Sequence, residues 1–216
     1  MTNDAGRDNI RVCLVDDQAL VRQALKERFA REPDFDVVGE AETARSALAT
    51  VQSVRPDVAL LDVQLPDGDG VTICREIRSA VPDTACLMLT GYSGNEALVG
   101  AIMAGAAGYV NKENIADMLV TAVRAVAAGR SALDPRAAQI AMHLLRDELA
   151  AGPALSGRDR QVLELIGDGL TDRQIAQRLN EPVDAAKGEV LSLLGKLGLP
   201  GMHAAGTSEG LAAKGV

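Results

Sequence analysis

The sequence predicts a protein in two parts. The first is an α/β unit built on a doubly wound, five-stranded parallel sheet of order 2-1-3-4-5, and the second is a small all-α unit of helix-turn-helix outline. Strand-like and helix-like patterns alternate five times up to about residue 130; such alternation implies a parallel sheet covered by helices on both faces. Beyond Ala151-Gly152-Pro153 only helical patterns follow. Acidic residues also collect where the predicted strands end, and sheets of this kind place their sites at the carboxyl ends of strands.

The elements follow in chain order. Ile10–Val15 is a short apolar run, and Leu20, Val21, Ala24, Leu25 and Phe29 then recur at helical spacing. Asp34–Val37 alternates with period two, as an edge strand with one charged face does. Ala44, Leu48 and Val51 mark a helix that Pro56 ends, and Val58–Leu61 reads as a buried strand. Val71, Cys74 and Ile77 belong to a helix, Cys86–Leu89 to a strand, Ala97–Ala104 to a helix and Gly108–Val110 to a short strand. Ile115, Met118, Leu119, Ala122, Val123 and Val126 share one helical face. Gly129–Pro135 breaks the pattern, and Arg136–Leu149 is expected to form a connecting helix before the Ala151-Gly152-Pro153 linker. Ser156 with Asp159, and Thr171 with Gln174, have the spacing of helix-capping pairs. Gly167-Asp168-Gly169 forms a tight break between them, and a third helix is expected from about Pro182 to Leu197.

Composition narrows the function. The chain has 216 residues, 47% apolar and 24% charged, which suits a folded protein with a real core and argues against disorder. Aromatic residues make up 2% (Phe29, Phe35, Tyr92, Tyr109), too few for a base-stacking platform. The net charge is −8; residues 1–150 carry 15 basic and 22 acidic groups, and residues 151–216 carry 7 and 8. Neither part has the basic excess usual for a nucleic-acid footprint. Ala97–Val110 is the longest uncharged apolar stretch and falls short of the roughly 20 residues of a membrane span. Met1-Thr2-Asn3-Asp4 is polar, so no signal peptide and no membrane association are expected. Three scattered cysteines (Cys13, Cys74, Cys86) fit core thiols in a reducing, cytoplasmic compartment. With His143 and His203 as the only histidines, a catalytic thiol, a Ser-His-Asp triad and a histidine metal site are all disfavoured.

The acidic cluster carries the chemistry. Asp16 and Asp17 end the first strand and Asp62 the third, and these strands are neighbours, about 4.8 Å apart, in the expected order. Two carboxylates about 4 Å apart repel by roughly 1 kcal/mol in water and about 4 kcal/mol at an effective dielectric of 20. A hard divalent cation such as Mg²⁺ suits the all-oxygen set. Lys112, after the fifth strand, supplies a further positive charge, and Thr90, ending the fourth, a hydroxyl. Together these groups suit transfer of a phosphoryl group onto an aspartate. The bland alternative, that acidic residues merely punctuate strand ends, explains any one of them but not the set. Gly68 and Gly70 hint at a dinucleotide loop, yet Ile73 stands where a third glycine belongs. An aspartate-based phosphatase usually has Asp-x-Asp spacing; here Asp16 and Asp17 are adjacent, and no enzyme is expected.

Val15-Asp16-Asp17-Gln18, Leu61-Asp62-Val63-Gln64-Leu65-Pro66-Asp67-Gly68-Asp69-Gly70, Leu89-Thr90 and Gly105-Ala106-Ala107-Gly108-Tyr109-Val110-Asn111-Lys112 resemble the motifs of a response-regulator receiver domain. The whole chain resembles the NarL/FixJ family and, through Gly129-Arg130-Ser131 and the expected helix after it, the family's DevR/DosR-like members. The resemblance implies a receiver at 1–131, a linker helix and linker at 132–153, and a LuxR-type helix-turn-helix domain at 154–216. It implies that Asp62 is the phospho-acceptor and a sensor histidine kinase the donor. Mg²⁺ would be bound by Asp17, Asp62 and the Gln64 main-chain carbonyl, and by Asp16 through water. Thr90 and Lys112 would grip the phosphoryl group, and Tyr109 would be the aromatic switch, although core packing explains Tyr109 equally well.

Leu155–Leu163, Gly169–Ala176 and Lys196-Leu197-Gly198 are similar to the LuxR-type helix-turn-helix, whose third helix reads the DNA major groove. The resemblance implies a homodimer formed on phosphorylation and promoter DNA as partner, with Thr171, Lys187, Ser192 and Lys196 as contacts. In that helix Ala186, Val190, Leu193, Leu194 and Leu197 fall on one apolar face, and the opposite face presents Asp184, Gly188, Leu191 and Gly195. Asp184 and Glu189 stand where the family has a lysine and a histidine or tyrosine. Acid repels phosphate and glycine offers no donor to a base, so weakened DNA binding is expected. A receiver that acts through protein contacts, or only drains phosphoryl groups from a kinase, is the alternative.

Overall fold

A computed structural model describes residues 9–91, 95–112, 115–133, 155–168 and 170–197. The elements of the first part are β1 (Ile10–Val15), α1 (Ala19–Phe29), β2 (Phe35–Ala41), α2 (Ala44–Val54), β3 (Val58–Asp62), β4 (Gln64–Leu65), β5 (Gly68–Asp69), α3 (Gly70–Ala80), β6 (Ala85–Thr90), α4 (Asn95–Ala104), β7 (Gly108–Asn111) and α5 (Ile115–Ala127). Three helices follow: α6 (Gly157–Gly167), α7 (Asp172–Leu179) and α8 (Val183–Lys196). The main sheet runs β2-β1-β3-β6-β7 with every pairing parallel, which is the 2-1-3-4-5 order the alternation predicts. The helix expected over Arg136–Leu149, the linker at 151–153 and everything after Leu197 lie outside the described residues.

Period-two side-chain alternation gives the sheet two apolar faces. Val12, Leu14, Val58, Leu60, Leu87, Leu89 and Val110 pack under α1 and α5 with Leu25, Phe29, Leu119, Val123 and Val126. On the other face Cys13, Val15, Ala59, Leu61, Cys86 and Met88 lie under α2, α3 and α4. That second core continues without a break into Val162, Ile166, Ile175, Ala186, Val190, Leu193 and Leu194 of the C-terminal helices, because α3 touches α7 and α4 touches α6.

Caps fix the helix starts. Thr43, Ser156 and Thr171 each accept from the backbone three residues on, and the partner side chain reaches back, so the two capping pairs expected from sequence both form. Two features differ from the sequence-based expectation. The edge strand β2 extends through Gly39 to Ala41, beyond the Asp34–Val37 alternation that predicts it. A β-carbon on Gly39 would lie 2.9 Å from Thr50 Cγ2, so glycine is present because α2 packs directly on the strand. The antiparallel β4–β5 hairpin, two residues a side, is also new. It is too short for any periodicity to reveal. At the other end of the first part, Ala132 donates to the Ala107 carbonyl at 2.8 Å and bridges Gly108 beside the sheet edge.

Candidate functional site

β1 and β3 deliver the acidic residues to one sheet edge. Asp16 is fully buried, Asp62 nearly so and Asp17 exposed; a carboxylate oxygen of each lies within 4.8 Å of the others. Lys112, directly after β7, donates to Asp16 Oδ2 at 2.7 Å and to Asp62 Oδ2 at 2.8 Å. The remaining oxygens accept from backbone: Gln18 N–H reaches Asp16 Oδ1 at 2.9 Å, and Gln64 N–H reaches Asp62 Oδ1 at 3.3 Å. Burial raises the Asp62 carboxyl above its ordinary pKa and the Asp16 charge adds to this, against the opposing pull of Lys112 and the Gln64 amide. Burial alone would lower Lys112, but its bonds to the two aspartates outweigh it and leave the ammonium above its usual value.

An open pocket of about 310 Å³ sits over this cluster, lined by Asp17, Gln18, Asp62, Val63, Gln64, Leu65, Pro66, Gly91 and Lys112. The donor set fits a hard divalent cation: three carboxylates and no nitrogen or sulfur ligand, with Asp17 free of hydrogen-bond partners among the described residues. Gly70 packs against the main chain at the end of β3. A β-carbon on it would stand 2.1 Å from the Asp62 main-chain oxygen and 2.9 Å from Val63 Cα, so only glycine lets α3 start against the strand that carries Asp62. From sequence Gly70 ends the receiver-like motif Leu61–Gly70 and hints at a dinucleotide loop; its packing role appears with the hairpin.

Thr90 ends β6 opposite Asn111 of β7, which places its backbone at the same edge, while its side chain is outside the described residues. Tyr109 lies on β7, half-buried against the core under α2–α4. The structure thus brings Asp16, Asp17, Asp62, Gln64 and Lys112 together, and sets Tyr109 on the strand that leads into Lys112.

The helix-turn-helix residues meet different partners. The core face of α8 (Ala186, Val190, Leu193, Leu194) is buried, and Asp184, Gly188, Leu191 and Gly195 are exposed, as the helical spacing requires. Lys187 donates to Glu76 of α3 at 3.1 Å, and Lys196 chelates Asp159 at 2.8 and 2.9 Å. Glu189 accepts from Arg158 at 2.8 Å, and Arg158 also reaches Glu181 at 2.5 Å. The Thr171 hydroxyl is occupied as the cap of α7, and Ser192 is exposed.

Sequence reasoning missed the junction between the two parts. Arg75 of α3 is buried and spans it: Nε donates to Asp172 Oδ1 at 2.7 Å, Nη1 to the Met103 carbonyl at 2.7 Å and Nη2 to the Leu170 carbonyl at 3.2 Å. Asp172, the first residue of α7, is also buried. No sequence signal marked it: Arg75 stands beside Glu76 on a helix whose apolar positions are Val71, Cys74 and Ile77.

The fold and the acidic edge define a receiver domain, and the family model "Response regulator receiver domain" matches residues 12–124. The DNA-binding transcriptional activator DevR/DosR of Mycobacterium tuberculosis is 46% identical over 193 residues, covering 88% of this chain and 89% of that protein. A crystal structure of a LuxR-family two-component response regulator from Aurantimonas is 34% identical with a TM-score of 0.57, over 62% of this chain and 96% of that one. RcsB of Salmonella typhimurium, 24% identical, shares the fold over 89% of this chain and 93% of its own, with a TM-score of 0.55. The chain belongs to the response regulators, in their NarL/FixJ family. No helix among the described residues is long and apolar enough to cross a membrane.

Proposed function

We propose that this protein accepts a phosphoryl group on Asp62 from a sensor histidine kinase. It then controls transcription through a C-terminal helix-turn-helix whose hold on promoter DNA is weakened. The observation that carries the reading is the triangle of Asp16, Asp62 and Lys112 beneath an open pocket. An Asp62 carboxylate oxygen attacks the phosphorus of a phosphohistidine. The O–P bond forms as the P–N bond breaks, and the electron pair leaves on the imidazole nitrogen. Lys112 holds the carboxylate ionised until attack and then, with Thr90, takes up the oxygens of the transferred group. Asp17, Asp62 and the Gln64 carbonyl would hold Mg²⁺, with Asp16 acting through water; when bound, the ion offsets charge on the phosphoryl oxygens.

The same reading assigns Tyr109 as the side chain that relays the change toward α4, whose Met103 carbonyl Arg75 holds. While that contact stands, Lys187 is tied to Glu76 and is withheld from DNA. Release of the junction frees α8 and permits a homodimer on promoter DNA in the cytoplasm. A second output is favoured by one set of contacts. Arg158, Lys187 and Lys196 are all paired within the protein, and Leu191 is 41% exposed beside Asp184 and Gly188. In this version the C-terminal domain works through protein contacts, or the receiver drains phosphoryl groups.

Incubation with a small phosphodonor and Mg²⁺ tests the core claim: acid-labile label appears on Asp62 and Asp62→Asn abolishes it. Undiminished label in that variant refutes the assignment. Genome-wide DNA capture with the phosphorylated full-length protein separates the outputs, since discrete promoter peaks select the first and their absence the second.

A further inference from the structure

Arg22 lies on the inner face of α1 and is buried to 7% exposure, although nothing in the phosphoryl chemistry calls for it. Its Nη1 donates to the main-chain oxygen of Asp16 at 2.7 Å, its Nη2 to Glu42, and its Nε lies 3.5 Å from Glu40 Oε2. Asp16 follows the last paired residue of β1, since the ladders to β2 and β3 both end at Val15. Its carbonyl is therefore past the sheet hydrogen bonds and needs another donor. Arg22 is that donor.

The consequence reaches Asp17. The carbonyl oxygen of Asp16 and the amide nitrogen of Asp17 share one rigid peptide plane. Fixing that oxygen fixes the direction in which the Asp17 backbone, and so its carboxylate, leaves the strand. Asp16 is already held at three other atoms: its N–H donates to the Ala41 carbonyl at 3.2 Å, Oδ1 accepts from Gln18 at 2.9 Å and Oδ2 accepts from Lys112 at 2.7 Å. Asp17 has no such restraint of its own among the described residues. Its aim into the pocket depends on the peptide that Arg22 clamps. Glu42 and Glu40 in turn hold the guanidinium, so the ends of β1 and β2 are tied to α1 through one side chain. The planar fork of arginine reaches a carbonyl and a carboxylate at once, which a lysine ammonium cannot do in the same geometry.

We infer that Arg22 is a positioning residue for the divalent-cation site: it sets the Asp16–Asp17 peptide so that the Asp17 carboxylate faces the pocket beside the buried Asp16. The inference rests on the phospho-acceptor reading above and extends it to a residue that touches neither ion nor phosphoryl group. Partners one bond removed from a metal's ligands commonly change affinity about 10- to 100-fold when replaced.

The test is Mg²⁺ titration of the full-length protein by calorimetry, without phosphodonor, for wild type, Arg22→Lys and Arg22→Ala. Melting curves with and without Mg²⁺ accompany it. The expected result is a Mg²⁺ dissociation constant raised about tenfold or more in both variants, with a smaller Mg²⁺-induced rise in Tm. Asp62 labelling then recovers toward the wild-type extent at saturating Mg²⁺. A merely structural role lowers the Tm of the Mg²⁺-free protein and leaves the dissociation constant of the folded protein unchanged; that result overturns the inference. Should Arg22→Ala fail to fold, Arg22→Lys and Glu42→Gln carry the same comparison. Wild type that binds Mg²⁺ and labels Asp62, beside variants with equal affinity, refutes the role of Arg22 alone. Wild type that binds no Mg²⁺ refutes the phospho-acceptor reading and this inference together.

Discussion

Replacing Arg75 with alanine removes the side chain that spans the junction. In the folded protein its guanidinium makes bonds of 2.7 Å to Asp172, 2.7 Å to the Met103 carbonyl and 3.2 Å to the Leu170 carbonyl. Arg75 is 2% exposed and Asp172 4%. Truncation leaves the Asp172 carboxylate buried without its cation, and breaking a buried pair in this way costs about 3–5 kcal/mol. The protein escapes that cost by separating α7 from α3, which hydrates Asp172. The full penalty therefore falls on the docked arrangement rather than on either fold. At about 1.4 kcal/mol per decade, the docked-to-separated ratio drops by roughly two to three and a half orders of magnitude. Small-angle scattering should show a larger radius of gyration for Arg75→Ala, and hydrogen exchange should show faster exchange across α3, α7 and the end of α4. A double variant, Arg75→Met with Asp172→Leu, should restore much of the docking, because an apolar pair of similar bulk bears no desolvation penalty. An Arg75→Ala protein with wild-type scattering and protection would refute the reasoning, since the pair would then contribute nothing to holding the two parts together.

Gly70→Ala puts a methyl group where the Asp62 main chain already stands, 2.1 Å away, so backbone has to move. A stability loss of about 1–3 kcal/mol and slower Asp62 labelling should follow, checked by chemical denaturation and by label uptake. Acid should weaken the C-terminal helices. Bonds from Lys196 and Ser156 lower the Asp159 carboxyl from 3.8 to about 2, so the stability it contributes is present above pH 3.8 and is lost as pH falls toward 2. Thermal melts of Lys196→Met between about pH 5 and 2 should show a shallower acid dependence than wild type; an identical slope would remove Lys196 as its source.

The sheet was legible because its strands are short apolar runs broken by helical periods, and the right-handed crossover rule leaves few ways to connect them. The acidic site was legible for a related reason. Its residues sit at strand ends, so predicting the strand order already brought Asp16, Asp62 and Lys112 to one edge, and the observed order β2-β1-β3-β6-β7 does so. The features that escaped notice depend on contacts that exist only once the elements are packed against one another. Arg75 and Asp172 are 97 residues apart, and each alone reads as an ordinary polar position on an amphipathic helix. Arg22 likewise reads as a solvated helix residue until β2 brings Glu40 and Glu42 beside it. Gly70 reads as loop until the β4–β5 hairpin shows that α3 begins against the Asp62 carbonyl. Periodicity reports which face of an element is buried. It carries no information on which charged group will cross an interface, because that is decided by distances set only once the helices are packed. The same limit explains α8: its exposed Asp184, Gly188, Leu191 and Gly195 are dictated by helical geometry, whereas the capture of Lys187 by Glu76 required the docked structure. On the function proposed above, weak DNA binding has two separable origins, a face poor in donors and a lysine already engaged. Only the second responds to opening the junction, so Arg75→Ala should raise DNA affinity only by the contact that a freed Lys187 adds.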